Sequence, residues 1–146
     1  MSLELRSKIM LVVAVILGVY ALIWGVAPYT SFNVSARILL DVLDWPLDSY
    51  ANDLDRNTKW LSAIGAGLLA TVAIFIGGIV APAIKKGDTH TLRVTFWAIV
   101  AWYTIDSVGS IAVGVTSNVY FNTVYLLLMV FPLIGIREKD LQFVKN

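Results

Sequence analysis

The hydrophobic pattern of this chain comes in four long blocks separated by short polar ones. Residues 9–28, IMLVVAVILGVYALIWGVAP, hold no charge. Twenty residues at about 1.5 Å each reach the ~30 Å thickness of a bilayer's hydrocarbon core. Residues 60–84, 93–115 and 118–136 repeat the pattern, with turn residues between them. The spacing therefore predicts an all-α integral membrane protein, a four-helix transmembrane bundle forming one domain.

The segment 29–59 between the first two spans is different. Val34, Ile38, Val42 and Trp45 recur at helical spacing, while Ser35, Arg37, Asp41 and Asp44 fill the other side. This predicts a short amphipathic helix lying on the membrane or on the bundle, capped by Asn33 or Ser35 and stopped near Pro46. Asp53-Leu54-Asp55-Arg56-Asn57 opens like a calcium loop. Thr58 stands where the glycine belongs and Ile64 where the glutamate belongs, so no metal site is expected. Helix capping explains these acids better, with Asn57 or Thr58 capping the next helix. Thr89 or Thr91 is expected to cap the one after that, following a stop at Gly87.

Composition sharpens the class. Of 146 residues, 58% are hydrophobic and only 14% charged, well below the quarter usual in soluble domains. Mean hydropathy is +0.78. The net charge of +1 gives no reason to expect nucleic acid as a partner, and the lack of cysteine excludes disulfides and thiolate chemistry. A single histidine, His90, builds no metal site on its own, and no cofactor is expected. Arg6 and Lys8 ahead of the first block resemble the start of a signal peptide. The apolar run is too long, however, and Pro28 would follow the cut.

Eight of the eleven Lys and Arg residues fall on the side of the N-terminus, the 85–93 loop and the tail, against Arg37, Arg56 and Lys59 on the other. Both termini are therefore expected in the cytoplasm, with the protein in a bacterial inner membrane and segment 29–59 facing outward.

Two patterns carry candidate chemistry. In the second span Ala66, Ala70, Ala73, Gly77 and Ala81 repeat at 4-3-4-4 spacing, a small-residue face suited to close helix packing. Its partner is another span of the same chain, a second copy or a lipid tail. In the third span Asp106 is a carboxyl group within an apolar stretch, and such a residue is costly unless something accommodates it. Counting back ten residues from Thr116 puts it about 15 Å deep, near the bilayer midplane. Trp102, Ser107 and Ser110 accompany it, and pairing the third and fourth spans as a hairpin brings Asn122 level with Ser110 and Tyr125 level with Asp106. An internal polar cluster of Asp106, Ser107, Ser110, Asn122 and Tyr125 follows. It has three readings: a structural hydrogen-bonded lock, a proton or cation relay, or a ligand pocket walled by Trp102, Tyr103 and Tyr125. No second acid, histidine or lysine lies within the spans, so no catalytic set is expected.

WYTIDSVGSIAVGV followed by NVYFNTVYLLL resembles a set of small bacterial four-span membrane proteins that share an aromatic-x-x-x-Asp-Ser-x-Gly-Ser element and a following helix with paired Asn. The likeness covers the last third of the chain. It implies the four-span fold and brings no activity with it. The layout is also similar to that of DoxX-like proteins, although none of their distinguishing residues occurs here.

These readings lead to an expectation of a non-enzymatic accessory or structural subunit, with the bilayer and other membrane proteins, or itself, as partners. The alternatives are a small oligomeric proton- or ion-coupled transporter or channel built on Asp106, and a lipid or small hydrophobic ligand binder.

Overall fold

The computed structural model describes residues 1–47 and 53–136. The tail, with Arg137, Lys139 and Lys145, lies outside the described residues, as does Asp48. All regular structure among the described residues is helical. Helix α1 runs Leu3–Val26 and ends in a 3-10 turn, Ala27–Tyr29. Helix α2 is Asn33–Leu43. Helix α3, Arg56–Phe75, continues through a π turn at Ile76–Val80 into α4, Ala81–Lys86. Helices α5, Thr89–Ala112, and α6, Asn118–Val130, complete the chain. Three helical stretches are long and apolar enough to cross a membrane: Leu3–Tyr29, Arg56–Lys86 and Thr89–Ala112.

The helix starts are set by aspartates rather than by the expected neighbours. Asp55 caps α3 by accepting from Thr58 N at 2.6 Å. Asp88 caps α5, accepting from Thr91 N at 3.2 Å and from its hydroxyl at 2.6 Å. In both cases the carboxylate stands three residues before its donor, the reach of an N-cap side chain, so Asn57, Thr58, Thr89 and Thr91 fall inside the first turn. Neither Asn33 nor Ser35 caps α2; the Ser35 hydroxyl donates to Phe32 O at 2.7 Å instead. Gly87, at φ 66°, ends α4 in the left-handed conformation that favours glycine.

The tightest packing is between α1 and α3, which run antiparallel and make the most extensive contact in the chain. Ala66, Ala73 and Ala81 are buried, and Ala70 is half-buried. A Cβ built on Gly77 would lie 3.4 Å from the Cβ of Ala14, one on Gly18 would lie 3.8 Å from that of Ala73, and one on Gly25 would lie 3.3 Å from that of Ala66. Each step down α1 is matched by a step up α3. The small face of α3 thus meets a second one on α1, Ala14, Gly18, Ala21 and Gly25, with the same 4-3-4 spacing. Close approach of the two backbones gains dispersion contacts all along the seam.

Below this seam a core gathers Met10, Leu17, Ile76, Ile84, Leu92, Ile99, Met129 and Leu133. The π turn precedes Pro82, whose ring and missing N–H disturb the regular ladder. The Ser7 hydroxyl donates to Ala81 O at 2.6 Å, tying the start of α1 to α4. Helix α6 ends at Val130, two residues before Pro132, and Phe131–Gly135 follow as turns. The Arg6 guanidinium donates to the carbonyl of Pro132 at 3.1 Å and also to that of Ile134. The end of α6 and the start of α1 therefore share one end of the fold.

At the other end α2 is held by Ala36 and Leu40, which pack with Ala27 and Leu54. Val34, Ile38 and Trp45 stay exposed. The residues that dock α2 are thus offset from the apolar stripe read in the sequence, which points away from the bundle.

Candidate functional site

The site lies where α2 meets the α5–α6 hairpin. Helix α5 ends at Ala112, three residues before the expected end of the third span. Gly114, at φ 88°, turns the chain where a side chain would be strained. Ser117 then fixes the turn against α2: its hydroxyl donates to Leu43 O at 2.5 Å and accepts from Trp45 N at 3.0 Å.

The early turn shifts the hairpin by about one helical turn from the register counted on the sequence. Asn118 and Asn122, four residues apart on one face of α6, come level with Ser110 and Asp106. Asp106 Oδ1 accepts from Asn122 Nδ2 at 2.9 Å, from Asn118 Nδ2 at 3.0 Å and from Ser110 Oγ at 3.3 Å. Asn118 Nδ2 also donates to Ser110 Oγ at 2.9 Å, and Asn122 Nδ2 donates to Ser107 Oγ at 3.4 Å. Ser107 and Asn122 are buried, whereas Asp106, Ser110 and Asn118 are half-buried.

Four of the expected cluster residues thus come together: Asp106, Ser107, Ser110 and Asn122. Tyr125 does not join them. It packs against the apolar core one turn deeper, because the shifted register puts Asn122 in the place counted for it. Trp102 stands at the surface, outside the hydrogen-bonded group. Asn118 joins the cluster in addition, because the shifted register brings it level with Ser110; the Asn-x-x-x-Asn spacing on α6 is the signal that the sequence offers for it. Nor is Asp106 near the middle of its helix. Six residues separate it from Ala112, about 9 Å of rise.

Beyond the cluster the polar groups thin out. Tyr103 and Thr123 share a hydrogen bond of 3.1 Å between α5 and α6. Farther along, Ile99, Met129, Leu92 and Leu133 close the hairpin into the apolar core. Trp102, Tyr103 and Tyr125 are not among the residues that line the cleft beside Asp106. The space in front of Asp106 is instead an open cleft of about 560 Å³ under α2. Arg37, Asp41 and Asp44 line it from α2; Ile105, Asp106 and Ser110 line it from α5; Val113 and Asn118 complete it.

No family model, curated protein or solved structure matches this chain. The chemistry must be read from the site alone. All three donors to Asp106 converge on Oδ1, and among the described residues none reaches Oδ2. One oxygen is thus held in place by two amides and a hydroxyl, while the carboxyl group also borders the cleft. Among the described residues no three acidic or histidine side chains are grouped closely enough to hold a metal ion. The arrangement suits hydrogen bonding and charge recognition.

Proposed function

We propose that this chain is a non-enzymatic, four-span protein of a bacterial inner membrane that works as an accessory or structural subunit of a membrane assembly. One observation carries the reading. Of the three long helices α5 is the least apolar, with a mean hydropathy of 1.2 over its best stretch against 2.7 for α1, yet it is also the least covered, with 11% of that stretch buried against 28%. A helix bearing Thr104, Asp106 and Ser110 gains less from lipid than its neighbours do, and would be the first to be drawn inside a bundle. Here it stands at the edge, with Trp97, Ile105 and Val108 exposed. Polar groups and small residues on a span favour contact with another protein helix over contact with lipid tails.

The topology supports the same reading. Helix α6 alone, 13 residues, rises about 20 Å. With the turn that follows it, the chain runs from the Ser117 contact with α2 to the end where Arg6 bonds Pro132 and Ile134. Lys85 and Lys86 close α4 at that same end, so the basic residues gather on the side assigned to the cytoplasm. Transport through a single copy is less well supported, since the polar groups below Asp106 give way to the packed core.

The test uses the natural absence of cysteine. Ile105→Cys and Val108→Cys, each alone, are treated with bifunctional thiol-amine cross-linkers in native membranes. Adducts with a second copy or with another membrane protein are expected. No adduct at either position, from a chain that purifies as a monomer, overturns the proposal.

A further inference from the structure

We propose that the outer side of α2, Val34 and Ile38 with Trp45 just beyond the helix, docks into the headgroup–acyl boundary of the outward-facing leaflet, so that α2 is a lipid-bound surface helix. The inference rests on the membrane placement proposed above and uses neither the α5 face nor the groups that line the cleft.

Helix α2, Asn33–Leu43, has two apolar sides. Ala36 and Leu40, four residues apart, face inward and pack with Ala27 and Leu54. Val34 and Ile38, also four apart, share a different face and are 41% and 48% exposed. Phe32 and Trp45 flank the helix and are more exposed still. Apolar side chains gathered on the outside of a helix mark a contact surface. Level and charge decide what meets it.

Both ends of α2 are tied to the ends of spans. At its start, Asn33 N donates to Thr30 O at 3.1 Å, just past the turn Ala27–Tyr29 that closes α1. At its far end, the Ser117 hydroxyl bonds Leu43 O and Trp45 N immediately ahead of α6. The helix therefore crosses the bundle at the level where spans begin and end. Exposed aromatic rings mark the same level. Tyr29 donates through its hydroxyl to Lys59 O, which places it beside Trp60 at the start of α3. Tyr120, at the start of α6, donates its N–H to Ser117 O at 3.0 Å. Tyr29, Trp60 and Tyr120 are all more than half exposed, as is Trp45. Amphipathic rings of this kind favour the membrane–water boundary. Rings on three separate helices suit a medium that surrounds the bundle, as lipid does, better than one docked protein.

Charge selects the kind of attraction. Residues 33–43 hold one arginine and one aspartate, so α2 has no net charge with which to seek anionic lipid. Burial of its apolar side is then the driving term, and a zwitterionic leaflet is sufficient. Interfacial helices bury that side about 5–10 Å into the headgroup–acyl boundary. Val34 and Ile38 lie at that depth in the docked state. Ser35, exposed on the adjoining side, turns toward water.

The full chain lacks cysteine, so single thiols report position directly. Val34→Cys, Ile38→Cys and Ser35→Cys, all at exposed sites, are labelled with a bimane fluorophore and placed in phosphatidylcholine nanodiscs. Labels at Val34 and Ile38 are expected to lose most of their fluorescence to lipids brominated high on the acyl chain and to resist aqueous iodide. The Ser35 label is expected to do the reverse. Iodide quenching at Val34 and Ile38 equal to that at Ser35 overturns the proposal, because the stripe then faces water. Shielding of both labels from both quenchers overturns it as well, because protein then covers the stripe. A label at Val19→Cys, exposed and about 15 Å along α1 from Tyr29, tests the membrane placement itself and should be quenched by bromine near the chain ends. Loss of that signal strikes the placement and this proposal together, whereas failure at Val34 and Ile38 alone strikes only the docking of α2.

Discussion

Replacing Asp106 with leucine or with asparagine separates the two things its carboxyl group does. Leucine removes the acceptor that Asn118, Asn122 and Ser110 share. Two of these bonds cross from α6 to α5, and interhelical hydrogen bonds in membrane proteins average about 0.6 kcal/mol each, so their loss amounts to ~1 kcal/mol. Asn122 is 4% exposed and would keep only its 3.4 Å bond to Ser107 Oγ, which pushes the cost upward, because a buried donor with a poorer partner recovers less of its solvation. Asparagine has nearly the same shape and keeps an acceptor oxygen where Oδ1 stands. Its new amide can occupy the Oδ2 side, where no described residue donates. Asp106→Asn should therefore lie within about 0.5 kcal/mol of the wild type, less than one such bond. The assay is reversible unfolding of the purified protein in mixed micelles, titrated with a denaturing detergent and followed by helix content. A midpoint for Asp106→Leu equal to that of the wild type would refute the lock. Equal losses in both variants would show that the charge, and not the acceptor geometry, holds the hairpin. Proton or cation flux that vanishes in Asp106→Asn liposomes, with fold and assembly intact, would restore the relay reading.

Gly77→Leu forces a branched side chain into the 3.4 Å gap to Ala14 and should cost about 1–3 kcal/mol, whereas Gly67→Leu, which meets nothing within 4 Å, should cost far less; equal losses in the same titration would sink the α1–α3 seam. The caps give a pH dependence. The Thr58 hydroxyl and backbone N–H hold the Asp55 carboxyl below the usual carboxylate range, and those of Thr91 do the same for Asp88. A folded-state pKa below the unfolded one means stability that is complete above the ordinary aspartate pKa and is lost as pH falls through the lowered value. Thermal unfolding of the wild type should thus weaken in that acid window, and the Asp55→Asn, Asp88→Asn double variant should show a shallower slope there; an unchanged slope would contradict the capping account. Arg6→Met removes the donors to Pro132 O and Ile134 O, so a thiol at Leu133→Cys, otherwise buried, should label faster; an unaltered rate would mean that core packing alone holds the turn.

Much of the fold was legible because bilayer thickness fixes helix length and uncharged runs are hard to mistake. The small face that runs from α3 into α4 was legible for the same reason that it packs: Ala66, Ala70, Ala73, Gly77 and Ala81 keep a 4-3-4-4 spacing. Its counterpart on α1 was hidden in a run where every residue is apolar, and only size distinguishes Ala14, Gly18, Ala21 and Gly25. The caps were misassigned by a residue or two because Asp, Asn and Thr crowd both helix starts, and which one caps depends on where the first N–H donors point. The register of the α5–α6 hairpin was lost at Gly114. A glycine at positive φ shortens α5 by three residues, and periodicity carries no trace of that.

That shortening changes the meaning of Asp106. Counted on the sequence, the carboxyl group sits mid-membrane and demands a special explanation. In the structure it lies near a helix end, with two amides and a hydroxyl on one oxygen and an open cleft before it. The early turn brings Asn118 and Asn122 level with Ser110 and Asp106, and Ser117 ties the same turn to α2. The device that satisfies the acid therefore also shapes the cleft, since the same turn ties the end of α2 at Leu43 and Trp45 to the α5–α6 hairpin. A variant that lengthens the turn while keeping all five polar side chains should lose both properties together. Inserting two residues after Val113 would do this: it moves Ser117 away from Leu43 and rotates the amides off Asp106. If the insertion variant kept the unfolding midpoint of the wild type and left a thiol at Asp44→Cys no faster to label, the polar cluster and the cleft would be separate features that merely share a helix.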